Sequence, residues 1–204
     1  MYQYFIKRFF DILMSLVILP FLVIVMVPVY IMIKLDDKGP IFYNAPRLGI
    51  NMKPFIMYKF RTMKVDAPDI RNSDGSTFNS DDDPRLTKVG KFLRKSSIDE
   101  LPQILNVLRG DMSFVGPRPS PLGNKDKYPK EYFQKFNVKP GITGYNQAIL
   151  RNRATMDERV KNDVYYVNNI SLVFDIKIIF MTVFSVIASK NINRNDVVKR
   201  KVEK

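Results

Sequence analysis

The sequence predicts a mostly helical α+β protein that begins with a membrane segment and continues into a small, basic head. The first observation is a run of 22 residues, 12–33, without a charged side chain. A helix of that length would rise roughly 30 Å, which matches the thickness of a bilayer core. Two short β-like segments follow the run, and helical patterns then occupy most of the remaining chain.

The apolar run is compatible with two membrane arrangements. Pro20 and Pro28 interrupt it, and each proline removes a backbone donor and disfavours a straight helix. Basic side chains flank the run on both sides, so the positive-inside tendency assigns no orientation. These flanking residues are Lys7, Arg8, Lys34 and Lys38. The residues alone leave open a single-pass helix with a proline kink and a bent, re-entrant hairpin.

Short strands and a polar loop are expected directly after the membrane segment. Residues 41–43 and 55–60 have β-like sequences on either side of an Asn-Met-Lys-Pro turn. Residues 66–84 are rich in Asp, Ser and Asn, which is typical of a surface loop. Its three consecutive carboxylates, 81–83, are candidate metal ligands. A solvated loop in which Asp83 or Ser80 caps the next helix is the favoured interpretation.

The helical segment 85–108 carries two adjacent acids, Asp99 and Glu100. Ser97 precedes Glu100 by three residues, the spacing of a capping box, which predicts that both acids lie at a helix N-terminus. Capping does not account for the cations that crowd the preceding residues. These cations are Lys88, Lys91, Arg94 and Lys95.

Two loops rich in glycine and proline come next. The glycine and prolines around Arg118 are expected to hold that side chain in a fixed direction. In the second loop, Gly141 and Gly144 would allow the backbone to approach a ligand closely. Helices are predicted over 153–169 and 170–188, the latter lying at a membrane interface or in the core. The tail beyond residue 189 is basic and suits an anionic membrane surface.

The composition narrows the chemistry that the chain can perform. Cysteine, histidine and tryptophan are absent, which excludes zinc-finger and haem-ligand sets and all His-dependent catalytic triads within the chain. With 33 basic and 20 acidic residues, the formal charge of +13 indicates anionic partners. No nucleic-acid-binding motif is present, so we expect no nucleic acid among them. The residues therefore indicate a membrane-bound enzyme that acts on phosphorylated substrates through carboxylates.

Six blocks of sequence, in order, resemble the bacterial sugar transferases, the small monotopic phosphoglycosyl transferases. They are KRFFDI, KGPIFYNAPRLG, YKFRTM, SSIDELPQILNVLRGDMSFVGPRP, KPGITGYNQ and NDVYY with SLVFDIKI. The resemblance implies a re-entrant helix–break–helix hairpin over 1–36, a catalytic head with interfacial helices over 37–188, and a basic tail over 189–204. It places the head on the cytoplasmic face of the bacterial membrane. Val23 and Ile24 stand where the family commonly has a Ser-Pro break.

The resemblance also implies a reaction and a set of site residues. Sugar-1-phosphate would move from a UDP-sugar to polyprenol phosphate in the membrane lipid, with release of UMP, as the first step of glycan synthesis. By similarity Asp99 is the nucleophile and forms a covalent phosphosugar-aspartyl intermediate. Glu100 would assist catalysis, either as a Mg²⁺ ligand together with Asp99 or by helping the lipid phosphate to attack. Downstream glycosyltransferases are further candidate partners. Substrate contacts are expected at Arg118, Lys59, Arg94, Arg151 and Asp163, for each of which a structural ion pair is the alternative.

Overall fold

The computed structural model of the protein describes residues 2–70, 78, 83–123, 128–150 and 153–187. Within these ranges six α-helices and several short 3-10 turns surround two small β-sheets. The prediction of a mostly helical α+β protein is therefore confirmed.

The N-terminal helix is the longest element of the fold. A π-helical turn, Tyr2–Ile6, leads into α1, Lys7–Asp37. The combined stretch, Tyr2–Asp37, is the one described helix long and apolar enough to cross a membrane, and just 17% of its most apolar window is buried. The family resemblance predicts a break within this segment. The structure instead shows one continuous helix that contains both Pro20 and Pro28. A proline removes one hydrogen bond, and the bonds of the flanking turns can carry the helix past it.

We use the name head for the described residues from Lys38 onward. Polar contacts bind the first turns of α1 to this head. Lys7 forms an ion pair with Asp175 near the C-terminus of the fold. The buried carboxylate of Asp11 accepts hydrogen bonds from Ser113 Oγ and from the Phe114 backbone N–H, both at 3.0 Å. The first part of α1 is therefore bound to the head.

The last turn of α1 is bound to the same head. Asp36 Oδ2 accepts a hydrogen bond from the Val89 backbone N–H at 2.9 Å. Asp37 receives both terminal nitrogens of the Arg61 guanidinium in a bidentate pair. Between these polar contacts, apolar side chains from α1 join the core of the head. This cluster of buried residues contains Leu22, Val29, Ile33, Phe60 and Leu93.

A β-hairpin follows α1, as the sequence predicts. Strand β1, Phe42–Leu48, pairs antiparallel with β2, Pro54–Phe60. A 3-10 turn, Ile50–Met52, connects them, and its Asn51 lies in the left-handed region at φ 52°. Asparagine tolerates this conformation better than most residues, which helps to explain a tight turn at the predicted position.

Three short strands, β3 to β5, complete the two sheets. Strand β4, Ser120–Pro121, joins the free edge of β1 to give the order β2–β1–β4. Strand β3, Ser113–Val115, pairs in parallel with β5, Gly141–Thr143. Of the five strands in these two sheets, the paired β3 and β5 bring the loop after β3 next to the start of β5.

The segment 85–108, predicted to be helical with a helix N-terminus at Ser97, contains two helices that are joined by a short turn. Helix α2, Lys88–Ser96, ends at Ser97, which has φ 59°. A 3-10 turn, Ile98–Glu100, then precedes α3, Gln103–Arg109. The predicted capping box is wrong, because Ser97 closes α2 in the left-handed conformation and its side chain makes no cap hydrogen bond to the following turn.

The side chain of Thr87 caps α2 instead, where the sequence suggested Asp83 or Ser80. It accepts a hydrogen bond from the Gly90 N–H at 2.9 Å. Asp83 forms a buried ion pair with Arg85, with 2.7 Å between Arg85 Nη2 and Asp83 Oδ2. Ser80 and the other two consecutive acids lie outside the described residues.

Three further helices close the head. They are α4, Tyr145–Leu150, α5, Met156–Asn168, and α6, Leu172–Ile187. Thr155 and Glu158 form a capping box at the start of α5. Buried side chains of α4, α5 and α6 meet β3 in a second core, so the helices predicted over 153–169 and 170–188 are confirmed. On its other side α6 exposes the apolar residues Val173, Ile176, Phe180, Val183 and Phe184.

We predict that Gly90→Ala destabilises the protein. Helix α2 packs so closely on the end of β2 that a Cβ at Gly90 would lie 1.8 Å from the backbone oxygen of Thr62. We expect the free energy of unfolding to fall by about 1–3 kcal/mol, the usual cost of overpacking, although alanine favours a helix by about 1 kcal/mol. Denaturant unfolding in detergent measures the change. Gly123→Ala is the control, since nothing lies within 4 Å of a Cβ there. An equal or higher stability of Gly90→Ala would contradict the close packing.

Candidate active site

The two adjacent acids lie in the 3-10 turn between α2 and α3. Ser97 turns the chain away from α2, and Ile98–Glu100 then packs against β2. Asp99 is buried, with 6% of its surface exposed. The turn thus directs two neighbouring carboxylates toward the end of strand β2, which carries Lys59.

Glu100 is the centre of a small ion-pair network. Its Oε1 atom lies 2.7 Å from Lys59 Nζ and 3.1 Å from Arg118 Nη2. The same Lys59 ammonium is 3.5 Å from Asp99 Oδ2. Lys59, Asp99, Glu100 and Arg118, all predicted from the sequence as site residues, therefore meet in one place although they belong to three separate chain segments.

The two carboxylates are in different electrostatic states. Burial alone would raise the pKa of Glu100, but the charges and hydrogen bonds of Lys59 and Arg118 outweigh it and lower that pKa to about 2. Burial raises the pKa of Asp99, and the neighbouring charge of Glu100 adds to the rise while Lys59 opposes it. Glu100 is consequently a fixed anion, whereas Asp99 is the more basic carboxylate of the pair.

Arg94 is close enough to Asp99 for their charges to interact. Its Nε donates a hydrogen bond to Thr62 Oγ1 at 3.0 Å. Burial lowers the pKa of the Arg94 guanidinium, and the negative charge of Asp99 works in the opposite direction. A guanidinium stays charged at any physiological pH, so Arg94 adds a further positive charge near Asp99.

Close contact between two loops positions Arg118. The Gly116 N–H donates to Thr143 O at 2.8 Å, and the Gly141 N–H donates to Pro117 O at 3.0 Å. A Cβ at Gly141 would lie 2.1 Å from the Gly116 nitrogen. The expectation that Gly141 leaves room for a ligand is therefore wrong, because its missing side chain makes room for the other loop.

Three buried polar residues, Lys135, Tyr132 and Asp163, form a network that binds the backbone of Arg118. Lys135 Nζ donates to the Arg118 carbonyl oxygen at 2.9 Å and to Tyr132 Oη at 2.9 Å. Asp163 accepts from Tyr132 at 2.8 Å and lies 3.4 Å from the Lys135 ammonium. Asp163 is thus a structural partner that acts through Lys135. Of the two alternatives the sequence left for it, the structure supports this one.

Sequence reasoning missed Lys135 and Tyr132. Both lie in a 3-10 segment, Lys130–Asn137, whose pattern of charged and aromatic residues carries no motif for a site. Burial lowers the pKa of Lys135 to about 8, although the Asp163 charge favours the ammonium form. One signal was available in the sequence, since a buried acid in a helix requires a cation or donor somewhere else.

Arg151, the remaining predicted contact, lies outside the described residues. Within the described ranges no group of three or more metal-ligating acids is found. Asp99 and Glu100 are therefore the carboxylate pair that this site offers to a cation.

This arrangement combines a basic, buried carboxylate with three cationic side chains. The cations suit phosphate groups, because Arg and Lys form strong charge-assisted hydrogen bonds with phosphate oxygens. Asp99 can act as a nucleophile or a base in a chain that has no histidine or cysteine. The geometry therefore suits chemistry on a phosphorylated ligand.

Comparison with known proteins assigns the class. The family described as bacterial sugar transferase matches residues 2–189, which include every element of the site. The chain belongs to this family.

Individual relatives cover nearly all of the chain. The galactosyl transferase CpsE of Streptococcus agalactiae is 46% identical in an alignment 187 residues long, which covers 86% of this chain and 41% of that protein. The sugar transferase EpsL of Bacillus subtilis, described as uncharacterized, is 40% identical over 93% of this chain and 91% of its own. The UDP-glucose:undecaprenyl-phosphate glucose-1-phosphate transferase of Escherichia coli is 40% identical over 90% of this chain and 40% of its own. The chain thus spans about two fifths of the length of some relatives and nearly all of EpsL.

We predict that Lys59→Met raises the pKa of Glu100 from about 2 by about one pH unit or more, because an opposite charge in hydrogen-bond contact is lost. The pKa of Glu100 in the folded protein is lower than in the unfolded chain. The stabilisation by this ion pair is therefore complete above the ordinary glutamate pKa and is lost as the pH falls toward 2. The variant would lose it at a higher pH. Carboxyl-carbon NMR titration measures the change.

The exposed Lys53→Met is the matched control, since Lys53 lies outside the network. A Glu100 titration that is the same in Lys59→Met as in the unaltered protein would contradict the assigned ion pair.

Proposed function

We propose that the protein transfers a sugar-1-phosphate from a UDP-sugar to polyprenol phosphate with release of UMP. The observation that carries the proposal is the buried Asp99 beside the ion-paired Glu100, with Lys59, Arg94 and Arg118 close by. Relatives named for galactosyl transfer and for glucose-1-phosphate transfer to undecaprenyl phosphate support the substrate class. Because the sugars in the names of these relatives differ, the proposal stays at the level of a UDP-hexose.

Asp99 is the nucleophile of the proposed reaction, and two physical differences favour it over Glu100. Both cations contact Glu100 Oε1, at 2.7 and 3.1 Å, whereas the nearer of them is 3.5 Å from Asp99. Burial also leaves Asp99 the more basic carboxylate. A less strongly bound and more basic oxygen is the better nucleophile toward phosphorus.

The reaction has two displacement steps. In the first, an Asp99 carboxylate oxygen bonds to the β-phosphorus of the UDP-sugar, the bond from that phosphorus to the bridging oxygen breaks, and UMP leaves with the oxygen. In the second, an oxygen of polyprenol phosphate bonds to the same phosphorus and the aspartyl–phosphorus bond breaks. The carboxylate of Asp99 is restored, and the product is a polyprenyl diphosphate sugar. Arg118 and Arg94 would stabilise the phosphate charge in both steps.

The donor set of the site fits Mg²⁺. This ion is commonly held by one or two carboxylates together with substrate phosphates, so Asp99 and Glu100 would hold it with the diphosphate of the nucleotide sugar. When bound, the ion would neutralise phosphate charge. Lys59 would keep Glu100 ionised and in place for this role, because it holds the pKa of that carboxyl at about 2.

We predict that Asp99→Asn abolishes both UMP release and a covalent phosphosugar adduct. An amide oxygen is a far weaker nucleophile than a carboxylate, so we expect a loss of about 10³-fold or more in turnover. UMP release from a UDP-sugar with polyprenol phosphate measures turnover. Intact-protein mass spectrometry after mixing with the UDP-sugar alone detects the adduct, which we expect to require Mg²⁺.

Asp157→Asn is the control, because Asp157 is an exposed acid in the first turn of α5. We expect it to form the adduct normally. Normal turnover of Asp99→Asn, or an adduct mapped to another residue, would show that the nucleophile assignment is wrong.

We further propose that α1 enters and leaves the membrane on one side, with the head on the cytoplasmic face. Two observations support this arrangement: the apolar surface of α1 is largely unburied, and both of its ends are bound to the same head. A helix that crossed the bilayer would place its ends on opposite sides of it. A protein whose substrates are cytoplasmic nucleotides and a membrane lipid needs its head at that surface.

Cysteine labelling tests this topology in a chain without natural cysteine. We predict that single cysteines replacing Tyr4 and Lys38, both exposed, react with a membrane-impermeant maleimide in inside-out vesicles and not in intact cells. A cysteine placed in the periplasm on a known protein serves as the control for intact cells. Labelling of one position from each side would instead establish a helix that spans the membrane.

A further inference from the structure

A cavity of about 110 Å³ lies at the N-terminal end of α1, away from the acids of the candidate active site. Arg8, one of its lining residues, hydrogen-bonds Val107 O and Leu108 O at the C-terminal end of α3. Asp99 and Glu100 precede the opposite end of the same helix. Neither acid lines the cavity, and neither do the cations that contact them.

Three cationic side chains line this cavity: Lys7, Arg8 and Lys139. Lys7 is paired with Asp175, and Arg8 binds two carbonyl oxygens. The Lys139 ammonium has no hydrogen-bond or ion-pair partner among the described residues. Lys139 and Arg8 both lie beside Gly110, since a Cβ at that residue would lie 3.5 Å from Lys139 Nζ and 3.5 Å from Arg8 Nη2.

The balance of charge at this cavity favours an anion. Burial lowers the pKa of Lys139 and the nearby charge of Arg8 lowers it further, whereas the charges of Asp11 and Asp111 oppose this shift. Asp11 is the one acid that lines the cavity, and Ser113 and Phe114 already occupy its carboxylate oxygen Oδ1. Two neighbouring cations, one of them without a partner, are stabilised when an anion binds between them.

The remaining walls of the cavity are largely apolar. They are formed by Ile50, Val115, Val138 and Ile170. Tyr4, on the rim, is 72% exposed, and the neighbouring Phe5 is 74% exposed. Cations beside apolar walls and exposed aromatic rings suit a ligand with a charged head and a hydrocarbon part.

We propose that this cavity binds the phosphate headgroup of an anionic membrane phospholipid between Lys139 and Arg8. The inference rests on the proposed membrane seating of α1, which brings Tyr4 and Phe5 to the level of the lipid headgroups. The bound lipid is a structural ligand, and its site is separate from the Asp99 site. It would fix the height of the head relative to the membrane surface.

Lipid retention tests the proposal on the full-length protein. Native mass spectrometry in neutral detergent measures binding of three probes: short-chain phosphatidylglycerol, the neutral phosphatidylcholine of equal chain length, and inorganic phosphate. We expect phosphatidylglycerol to bind at least tenfold more tightly than either of the others. Lys139→Gln should weaken its binding by about tenfold, the usual effect of losing one charge-assisted hydrogen bond.

Two matched variants make the result specific. Lys139→Arg keeps the charge and should retain the lipid, and Lys161→Gln removes an exposed lysine of α5 and should bind as the unaltered protein does. Equal binding of phosphatidylglycerol by Lys139→Gln and the unaltered protein would overturn the proposal. So would inorganic phosphate that binds as tightly as the lipid, which would indicate a site for free phosphate.

The same samples separate this inference from the proposed reaction. Formation of the Asp99 adduct from a soluble UDP-sugar needs no phospholipid, and we expect Lys139→Gln to form it at the normal rate. Loss of lipid binding with a normal adduct supports a separate lipid site. An adduct that forms while no variant changes lipid binding overturns the lipid site alone.

Discussion

The bidentate pair between Arg61 and Asp37 is the interaction on which the rest of the architecture depends. It joins the end of α1 to the segment directly after β2. Two residues before Arg61, Lys59 reaches both acids, and one residue after it, Thr62 contacts Arg94. The position of α1 and the position of the site cations are therefore set by one short stretch of backbone. Loss of the Asp37 carboxylate would strongly destabilise the fold, since the uncompensated charge of the buried Arg61 would remain in the core.

The two adjacent carboxylates of this site have their pKa values shifted in opposite directions. Two adjacent carboxylates would repel each other if both were equally exposed to the same surroundings. Here Lys59 and Arg118 neutralise Glu100, which leaves Asp99 as the basic member of the pair. This arrangement requires Arg118 to be held in place. Lys135 donates a hydrogen bond to the Arg118 carbonyl oxygen, and Asp163 and Tyr132 are the polar partners of Lys135.

The features that sequence reasoning predicted are those that local patterns determine. The apolar run, the β-hairpin around its Asn-containing turn and the pair Asp99–Glu100 can all be read from neighbouring residues. The failures share a physical cause, which is that contacts between distant segments override local rules. Ser97 has the spacing of a cap but terminates α2 in a left-handed conformation. Gly141 has the form of a ligand loop but packs against Gly116. Lys135 lies 17 residues from Arg118 without a motif to connect them.

The two prolines of α1 bear on the membrane seating that we propose for this helix. At 1.5 Å per residue its 31 residues extend over about 46 Å, more than the roughly 30 Å of a bilayer core. Pro20 and Pro28 cannot donate to the carbonyl oxygens four residues earlier, and an unpaired carbonyl costs least where water is near. Both ends of the helix are bound to one head, so neither end can move to the far side without it. The one-sided seating that we propose for α1 would place the prolines close enough to the interface for water to satisfy the freed oxygens.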